Sequence, residues 1–294
     1  RRKELKEASN KKFYLDLTFS DNTGEINGKL WDVTEDIFLS MPLNMLYYVN
    51  ARVDCWKENM QLNIQKIRLA DPDDQKKIDK FVPSAPISPE IMLKEVYSYS
   101  NRIQHDEIRR LVTKMLKDKE DRLRYYPAAR SLHHSIRGGL LYHLYRMLHL
   151  SEKIKQVYEN VNPDLLYAGI LLHDLAKIGE LDSNVLGFSE YSKEGQLLGH
   201  LVMGVKEIEN AGKSLGISEE VMLVLQHMVA SHHYEPEYGS PKKPMILEAE
   251  LLHYIDLIDA RVYDYENALK NVEKGAFSEP VWSLDRRRLY KTIL

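Results

Sequence analysis

The stretch LLYAGILLHDLAKIGEL, residues 165–181, decides the fold of the second half of this chain. It places His173 and Asp174 side by side at the end of an apolar run, with Lys177 three residues further on. A buried carboxylate near the negative end of a helix is unfavourable without a cation. An adjacent imidazole and carboxylate can both ligate a divalent metal. The alternative is a local His–Asp pair with Lys177 one turn on. The metal accounts for more of the sequence pattern than this pair does.

Further histidines and a distant carboxylate recur on apolar helix faces downstream and upstream of this pair. A lone histidine on such a face is usually a satisfied core residue, but the repetition along the chain favours ligands. His200 differs from the others, because the apolar stripe of its helix runs through other positions. We predict one site from His143, His173, Asp174 and Asp256, and a second alongside it from His200, His232 and His233.

The ligand types limit the choice of metal and indicate its chemistry. The single cysteine, Cys55, supplies no thiolate cluster, so mixed imidazole and carboxylate ligation remains, which suits manganese, iron, cobalt, nickel or zinc. Two such ions, with one ion as the simpler alternative, activate water and clamp phosphate oxygens. Asp174 and Lys177 are the predicted catalytic residues, with Lys177 neutralising charge on the transferred phosphoryl group.

Composition describes an ordinary cytoplasmic protein of about two domains. The 294 residues are 44% hydrophobic and 29% charged, and no stretch approaches the roughly 20 apolar residues of a membrane span. One cysteine allows no internal disulfide, and the N-terminal residues lack an apolar signal segment. The net charge of −3 provides no global attraction to nucleic acid, so such binding would require local patches.

The chain divides by pattern into a strand-rich part and a helical part. All eleven histidines lie at position 105 or later, whereas residues 11–70 alternate between apolar and polar with turn residues between the runs. This pattern predicts a small β-barrel over residues 1–70, and a charged, proline-bearing linker follows at 71–88. Ser88-Pro89-Glu90 is a helix start, and we predict an all-α domain over residues 89–294.

These motifs resemble the HD superfamily of metal-dependent phosphohydrolases, which is named for the adjacent His-Asp pair. The segments DNTGEINGKLWD, GGLLYH, LLHDLAKIGEL, SHHYEPEYGSPKKP and LEAELLHYIDLIDAR look like the YhaM-type 3′-5′ exoribonucleases, which join an OB-fold to an HD domain. The resemblance implies an OB-like barrel whose first strand is already under way where the chain begins. It also implies an enzyme that uses manganese or a similar divalent ion and removes nucleotides from the 3′ end of single-stranded RNA, with some action on DNA.

An exonuclease of this kind must draw a single strand toward its metals. Trp31 is the candidate for base stacking on the barrel, although a protein-contact role for the barrel is the alternative. Tyr238 is placed to stack on the departing base. The candidates for phosphate contacts, which are equally compatible with solvated surface, are His133, His134, Arg137, Lys242 and Lys243.

Two other functions remain open on sequence grounds. A phosphohydrolase of small nucleotides would use the same metal core and differ only in access to the pocket. A non-catalytic single-strand-binding regulatory module would hold metal for stability alone. The sequence leaves the oligomeric state open, with a homo-oligomer among the possibilities.

Overall fold

The computed structural model describes residues 2–56, 59–75, 77–130 and 134–294. The chain divides into two compact units, residues 1–84 and 85–294. The division falls inside the segment predicted as a linker, but that segment is not a plain tether. It contains a short helix, Pro72–Gln75, and a 3₁₀ turn, Ile78–Lys80, and the side chains of Ile78 and Val82 are buried. The sequence does not predict this burial, because isolated apolar residues such as Ile78 and Val82 show no period.

The first unit is a five-stranded sheet with one short helix between its third and fourth strands. The strands are β1 (Arg2–Glu7), β2 (Phe13–Ser20), β3 (Glu25–Trp31), β4 (Tyr47–Trp56) and β5 (Asn59–Leu69), and the helix is α1 (Glu35–Ser40). Their order in the sheet is β1-β2-β3-β5-β4, and only the β3–β5 pair among these neighbours is parallel. The predicted strand-rich region is confirmed, and the OB-fold stays a prediction.

Alternation along β2 and its neighbours builds the core of the first unit. Leu15, Leu17 and Ile64 point to one face and are buried there with Val33. The opposite face carries polar and aromatic side chains, because successive residues of a strand point to opposite sides of the sheet. Tyr14 and Trp31 are cross-strand partners on that face, with ring centroids 4.7 Å apart.

The second unit is helical, and its caps follow the predicted starts. After the short helix α2 (Pro72–Gln75) of the first unit come α3 (Pro89–Arg102), α4 (Asp106–Leu123), α5 (Gly139–Val157), α6 (Pro163–Leu172), α7 (Lys177–Glu180), α8 (Lys193–Leu215), α9 (Glu219–Ser231) and α10 (Leu247–Leu269). Ser88 and Asn162 cap α3 and α6 by accepting backbone N–H bonds. In the part of the chain that the structure describes, no helix combines the length and apolar character needed to cross a bilayer.

One β-hairpin departs from the all-α expectation. It consists of β6 (Leu181–Ser183) and β7 (Ser189–Tyr191), and it joins α7 to α8. The side chain of Asn184 accepts the backbone N–H groups of Leu186 and Phe188, which closes the turn. Strands of three residues are too short to show a period in the sequence.

A central apolar helix organises the second unit. Seven of the ten residues of α6 are buried, and they contact neighbours in α4, α5, α9 and α10 within one continuous core. A helix that is apolar on all sides is stable only when other helices surround it. The end of α6, where the His-Asp pair lies, is therefore enclosed by the helices that carry the other candidate ligands.

Candidate metal centre

Five elements bring the seven predicted ligands together. His143 lies in α5, His200 in α8 and Asp256 in α10, whereas His173-Asp174 and His232-His233 directly follow α6 and α9. Four of the five histidines and Asp174 are buried, and His233 and Asp256 are partly exposed. Overlapping groups of three or four of these residues have ligand atoms within 4.8 Å of one another.

Each of the five histidine rings is oriented through its Nδ1 atom. In His173, His232 and His233, Nδ1 donates to a backbone carbonyl oxygen at 2.7–2.8 Å. The acceptors are, in that order, the oxygens of Ile170, Val229 and Tyr238. In His143 and His200 the acceptors are the carboxylates of Asp259 and Glu180, at 2.7 and 3.1 Å. Because these oxygens only accept, the proton stays on Nδ1, and Nε2 is the atom that each ring offers to a metal.

Asp174 lies at the middle of these Nε2 atoms. Its Oδ1 is 3.4 Å from Nε2 of His200 and 3.6 Å from that of His232. Its Oδ2 is 3.4 Å from Nε2 of His173 and 3.9 Å from that of His143. One carboxylate therefore faces two groups of imidazoles, one group with each oxygen.

Unsatisfied polar atoms test whether a cation fits this place. Within the described residues, Asp174 Oδ1 and the Nε2 atoms of His173, His200 and His232 are buried and make no hydrogen bond. Such atoms are rare unless an ion or water completes them. Two ligands about 2.1 Å from one ion lie roughly 3.0–3.5 Å apart, which matches the shorter contacts above. The donor set therefore fits a divalent metal.

Asp256 completes the group on one side. Its Oδ1 is 3.2 Å from Nε2 of His143, and a ligand atom of Asp256 also lies close to His173 and His232. The structure does not separate the ligands into the two predicted sets. Asp174 belongs to both groups, and Asp256 approaches a histidine that was assigned to the second set.

Buried cations balance the carboxylates. Burial alone would lower the pKa of Lys177, but the charge of Asp174, whose Oδ2 is 2.6 Å from Nζ, outweighs it and raises that pKa. Burial would likewise raise the pKa of Asp174, yet Lys177 and His173 hold it well below its ordinary value. The carboxylates of Asp256 and Asp259 overcome the burial of His143 and raise its pKa to about 10.

The structure separates the predicted phosphate contacts. His133 lies outside the described residues. His134 is fully buried, and its Nε2 is 2.8 Å from Oδ2 of Asp259. This burial contradicts the prediction that His134 contacts substrate phosphates, because its ring has no access to solvent. Arg137 lies at the surface and donates from Nε to the carbonyl oxygen of Val185 in the β6–β7 turn.

The loop after His233 lies beside the metal centre. Tyr238 is 72% exposed, and its carbonyl oxygen accepts the Nδ1 proton of His233. Lys242 is exposed, whereas Lys243 lies 3.2 Å from a carboxylate oxygen of Glu235 and over the ring of Tyr234. The loop is therefore coupled to a ligand through one backbone hydrogen bond.

Sequence reasoning missed the residues that orient the ligands. Asp259 lies three residues beyond Asp256, and Glu180 lies in the stretch 165–181, but the sequence analysis assigned neither of them a role. Both are buried carboxylates that hold a histidine. Two sequence signals could have indicated these roles. Asp259 is an acidic residue one turn from a predicted ligand on an apolar helix, and Glu180 is an acidic residue shortly after the His-Asp pair.

Comparisons with known proteins agree with this geometry. The HD domain family matches residues 140–261, a range that contains all seven candidate ligands. The class of the helical unit is therefore an HD domain, as the motifs predicted.

Full-length relatives specify the family. The chain is 42% identical over 287 residues to a protein of Geobacillus sp. (strain WCH70) named 3′-5′ exoribonuclease YhaM, with 97% of this chain and 88% of the relative covered. Proteins of the same name from Halalkalibacterium halodurans and Listeria welshimeri are 39% and 38% identical over 97% and 96% of this chain, and 88% and 90% of those relatives are covered. The comparison with solved structures found no significant match. The chain belongs to the YhaM family of 3′-5′ exoribonucleases, which confirms the resemblance.

Proposed function

We propose that this chain is a divalent-metal-dependent 3′-5′ exoribonuclease that hydrolyses phosphodiester bonds from the 3′ end of single-stranded RNA. The observation that carries the proposal is the convergence of five imidazoles and the carboxylate of Asp256 around Asp174, inside an HD domain of a YhaM-family chain. Single-stranded DNA is a second substrate in the proposal.

The donor set supports manganese as the metal, with up to two ions per chain. Imidazole and carboxylate oxygen suit manganese and also iron, cobalt, nickel and zinc. His143, His173, Asp174 and Asp256 would hold one ion, and His200, His232 and His233 would hold the other, with Asp174 shared. When bound, the ions supply Lewis acidity, which activates water and stabilises negative charge on the phosphate.

The protein's own groups have separate tasks in the proposed reaction. Asp174 presents one oxygen to each group of imidazoles and so sets the spacing of the two groups. Lys177 keeps a buried ammonium group within 2.6 Å of that carboxylate. An ammonium held there stabilises charge on the phosphoryl group as the leaving nucleotide departs. None of the histidines needs to act as a general base.

Aromatic side chains of the first unit support single-strand binding. Trp31 is 47% exposed and packs against Tyr14, and Lys29 lies over the Tyr14 ring at 5.5 Å. Bases stack on such aromatic surfaces with little dependence on sequence. In the second unit, Tyr238, Lys242 and Arg137 would contact the terminal nucleotides. A cytoplasmic location and a homo-oligomer remain predictions.

Labelled RNA tests the proposal. A single-stranded RNA labelled at its 5′ end should yield a ladder that shortens from the 3′ end in the presence of manganese, whereas a circular RNA of the same sequence should stay intact. Asp174→Asn should reduce the rate by more than about 100-fold, because a shared ligand is lost. Asp182→Asn, at an exposed position of strand β6, is the matched control and should cleave normally.

Two results would contradict the proposal. An RNA that stays intact across manganese, iron, cobalt, nickel and zinc would remove the exonuclease. Rapid hydrolysis of nucleoside monophosphates or cyclic dinucleotides by the same preparation, with RNA untouched, would instead support the small-nucleotide enzyme.

A further inference from the structure

Asp259 makes three buried contacts behind the metal centre. It lies in α10, one turn after Asp256, and is 4% exposed. Its Oδ2 accepts from Nδ1 of His143 at 2.7 Å and is 2.8 Å from Nε2 of His134, and its Oδ1 is 2.5 Å from Nε of Arg146. The carboxylate is therefore held at both oxygens, and one of its partners is a predicted metal ligand.

His143 needs an external group to set its orientation. His173 and His232 follow the ends of their helices, and each donates to the carbonyl oxygen three residues earlier. His143 instead lies inside α5, where the backbone carbonyls accept helix hydrogen bonds. The acceptor for its Nδ1 comes from another helix, and that acceptor directs Nε2 toward Asp256 and Asp174, at 3.2 and 3.9 Å.

We propose that Asp259 is a positioning residue: it keeps the proton of His143 on Nδ1 and the ring aimed at the metal centre, while Arg146 and His134 fix the carboxylate. The inference rests on the proposed function, because it concerns the same metal centre. A carboxylate that accepts from a ligating histidine fixes its tautomer and its orientation.

Replacing Asp259 by asparagine distinguishes this role from simple packing. The side chains have nearly the same shape, but an amide has one acceptor and one donor end. With its oxygen turned toward Arg146, the amide of the variant donates to Nδ1 of His143. The proton of the neutral ring then moves to Nε2, and the lone pair required by a metal is lost.

Glu248 offers a matched control in the same helix. It is also a buried carboxylate, 7% exposed, and it accepts the backbone N–H of Asn162 at 2.7 Å. Glu248→Gln therefore removes a buried charge from α10 without touching a predicted ligand. If loss of buried charge merely loosened α10, both variants would behave alike.

The experiment measures manganese binding and the tautomer of His143 in the full chain. Free manganese is followed by electron paramagnetic resonance during titration of metal-depleted protein, and histidine tautomers are read from nitrogen-15 chemical shifts. Asp259→Asn should weaken the binding of one ion about 10–100-fold and shift the His143 proton toward Nε2. Glu248→Gln should leave both quantities unchanged.

Arg146→Gln provides a second variant if Asp259→Asn fails to fold. It leaves the carboxylate and its histidine contacts in place but removes the charge that fixes Oδ1, so a smaller loss of manganese affinity is expected. Unchanged affinity and tautomer in the folded variants would overturn the inference, as would wild-type protein that binds no manganese. Failure of the proposed function looks different: RNA stays intact, while manganese binding still depends on Asp259.

Discussion

The ammonium group of Lys177 lies 2.6 Å from Oδ2 of Asp174, and less than a tenth of either residue is exposed. The same oxygen is 3.4 Å from Nε2 of His173. If Asp174 and His173 hold a metal through this oxygen, the oxygen would also carry the contact to the ammonium group of Lys177. The ammonium balances the carboxylate in the absence of metal, and it stays beside the site when metal binds.

Replacing Lys177 by methionine should separate metal binding from catalysis. The methionine side chain fills a similar volume, but it neither competes for Asp174 nor neutralises phosphate charge. We expect kcat on RNA to fall about 100-fold, as for loss of one electrostatic donor, with manganese affinity unchanged or higher. Parallel loss of both would show that Lys177 only maintains the fold of the site.

Removal of metal should destabilise the second unit as well as stop hydrolysis. Buried polar atoms without a hydrogen-bond partner remain around Asp174 when no ion is bound. Manganese at about 100 times its dissociation constant should raise the free energy of unfolding by about 2.7 kcal/mol and Tm by about 5–10 °C. Calorimetry with and without chelator measures this shift, and magnesium at the same ionic strength serves as the control.

Acid should loosen the loop that carries Lys242 and Lys243. Nε2 of His227 accepts the backbone N–H of Met245 at 2.9 Å, and burial lowers the pKa of His227. The imidazolium cannot accept this bond, so stability is present above the unfolded pKa of about 6.5 and is lost as pH falls toward the lower folded value. Protection of the Met245 amide from hydrogen exchange should fall by up to about tenfold per pH unit in that window.

Comparison with a pH-independent side chain isolates this effect. In His227→Gln, the protection of the Met245 amide should no longer vary with pH beyond the change in intrinsic exchange. Equal pH dependence in both proteins would assign the loosening to other groups.

The left-handed backbone at Gly199 should be required for placing His200. Gly199 has φ 69° and ψ 160°, a conformation available essentially to glycine, and the next backbone N–H donates to Oε1 of Glu180 at 3.0 Å. Gly199→Ala should cost about 1–3 kcal/mol of stability and weaken manganese binding.

The helix-ending residue Gly216 is the control for this change. It also has a positive φ, 64°, but an added Cβ would meet no atom within 4 Å. Gly216→Ala should cost about 1–2 kcal/mol and leave manganese affinity intact. If the two variants bind manganese equally well, the bend at Gly199 does not position His200.

Loss of the Trp31 ring should weaken the binding of long RNA. Removal of one stacked base costs about 1–3 kcal/mol, so Trp31→Ala should raise KM for a long single strand about 5–100-fold while kcat stays near its original value. Trp282→Ala, at an exposed position in the second unit, should leave KM unchanged. An unaltered KM in Trp31→Ala would remove this residue from the RNA path.

Much of the molecule was predictable because its signals are local. Alternation marked the strands around Leu15 and Leu17, N-caps at Ser88 and Asn162 marked helix starts, and an acidic residue beside His173 marked the metal centre. The hairpin between Glu180 and Ser192 gave no such signal, because three-residue strands held by the Asn184 turn show no period.

The sequence by itself determined which residues offer imidazole and carboxylate groups and that they lie at the buried ends and faces of helices. Only the tertiary structure decided how they are used. In the structure, His134 is buried against Asp259, and each oxygen of Asp174 lies close to a different group of histidines. The reason is physical: ligand orientation depends on contacts between helices far apart in the chain, such as His143 in α5 and Asp259 in α10. Helical periodicity reports which face is buried, but not what lies opposite it.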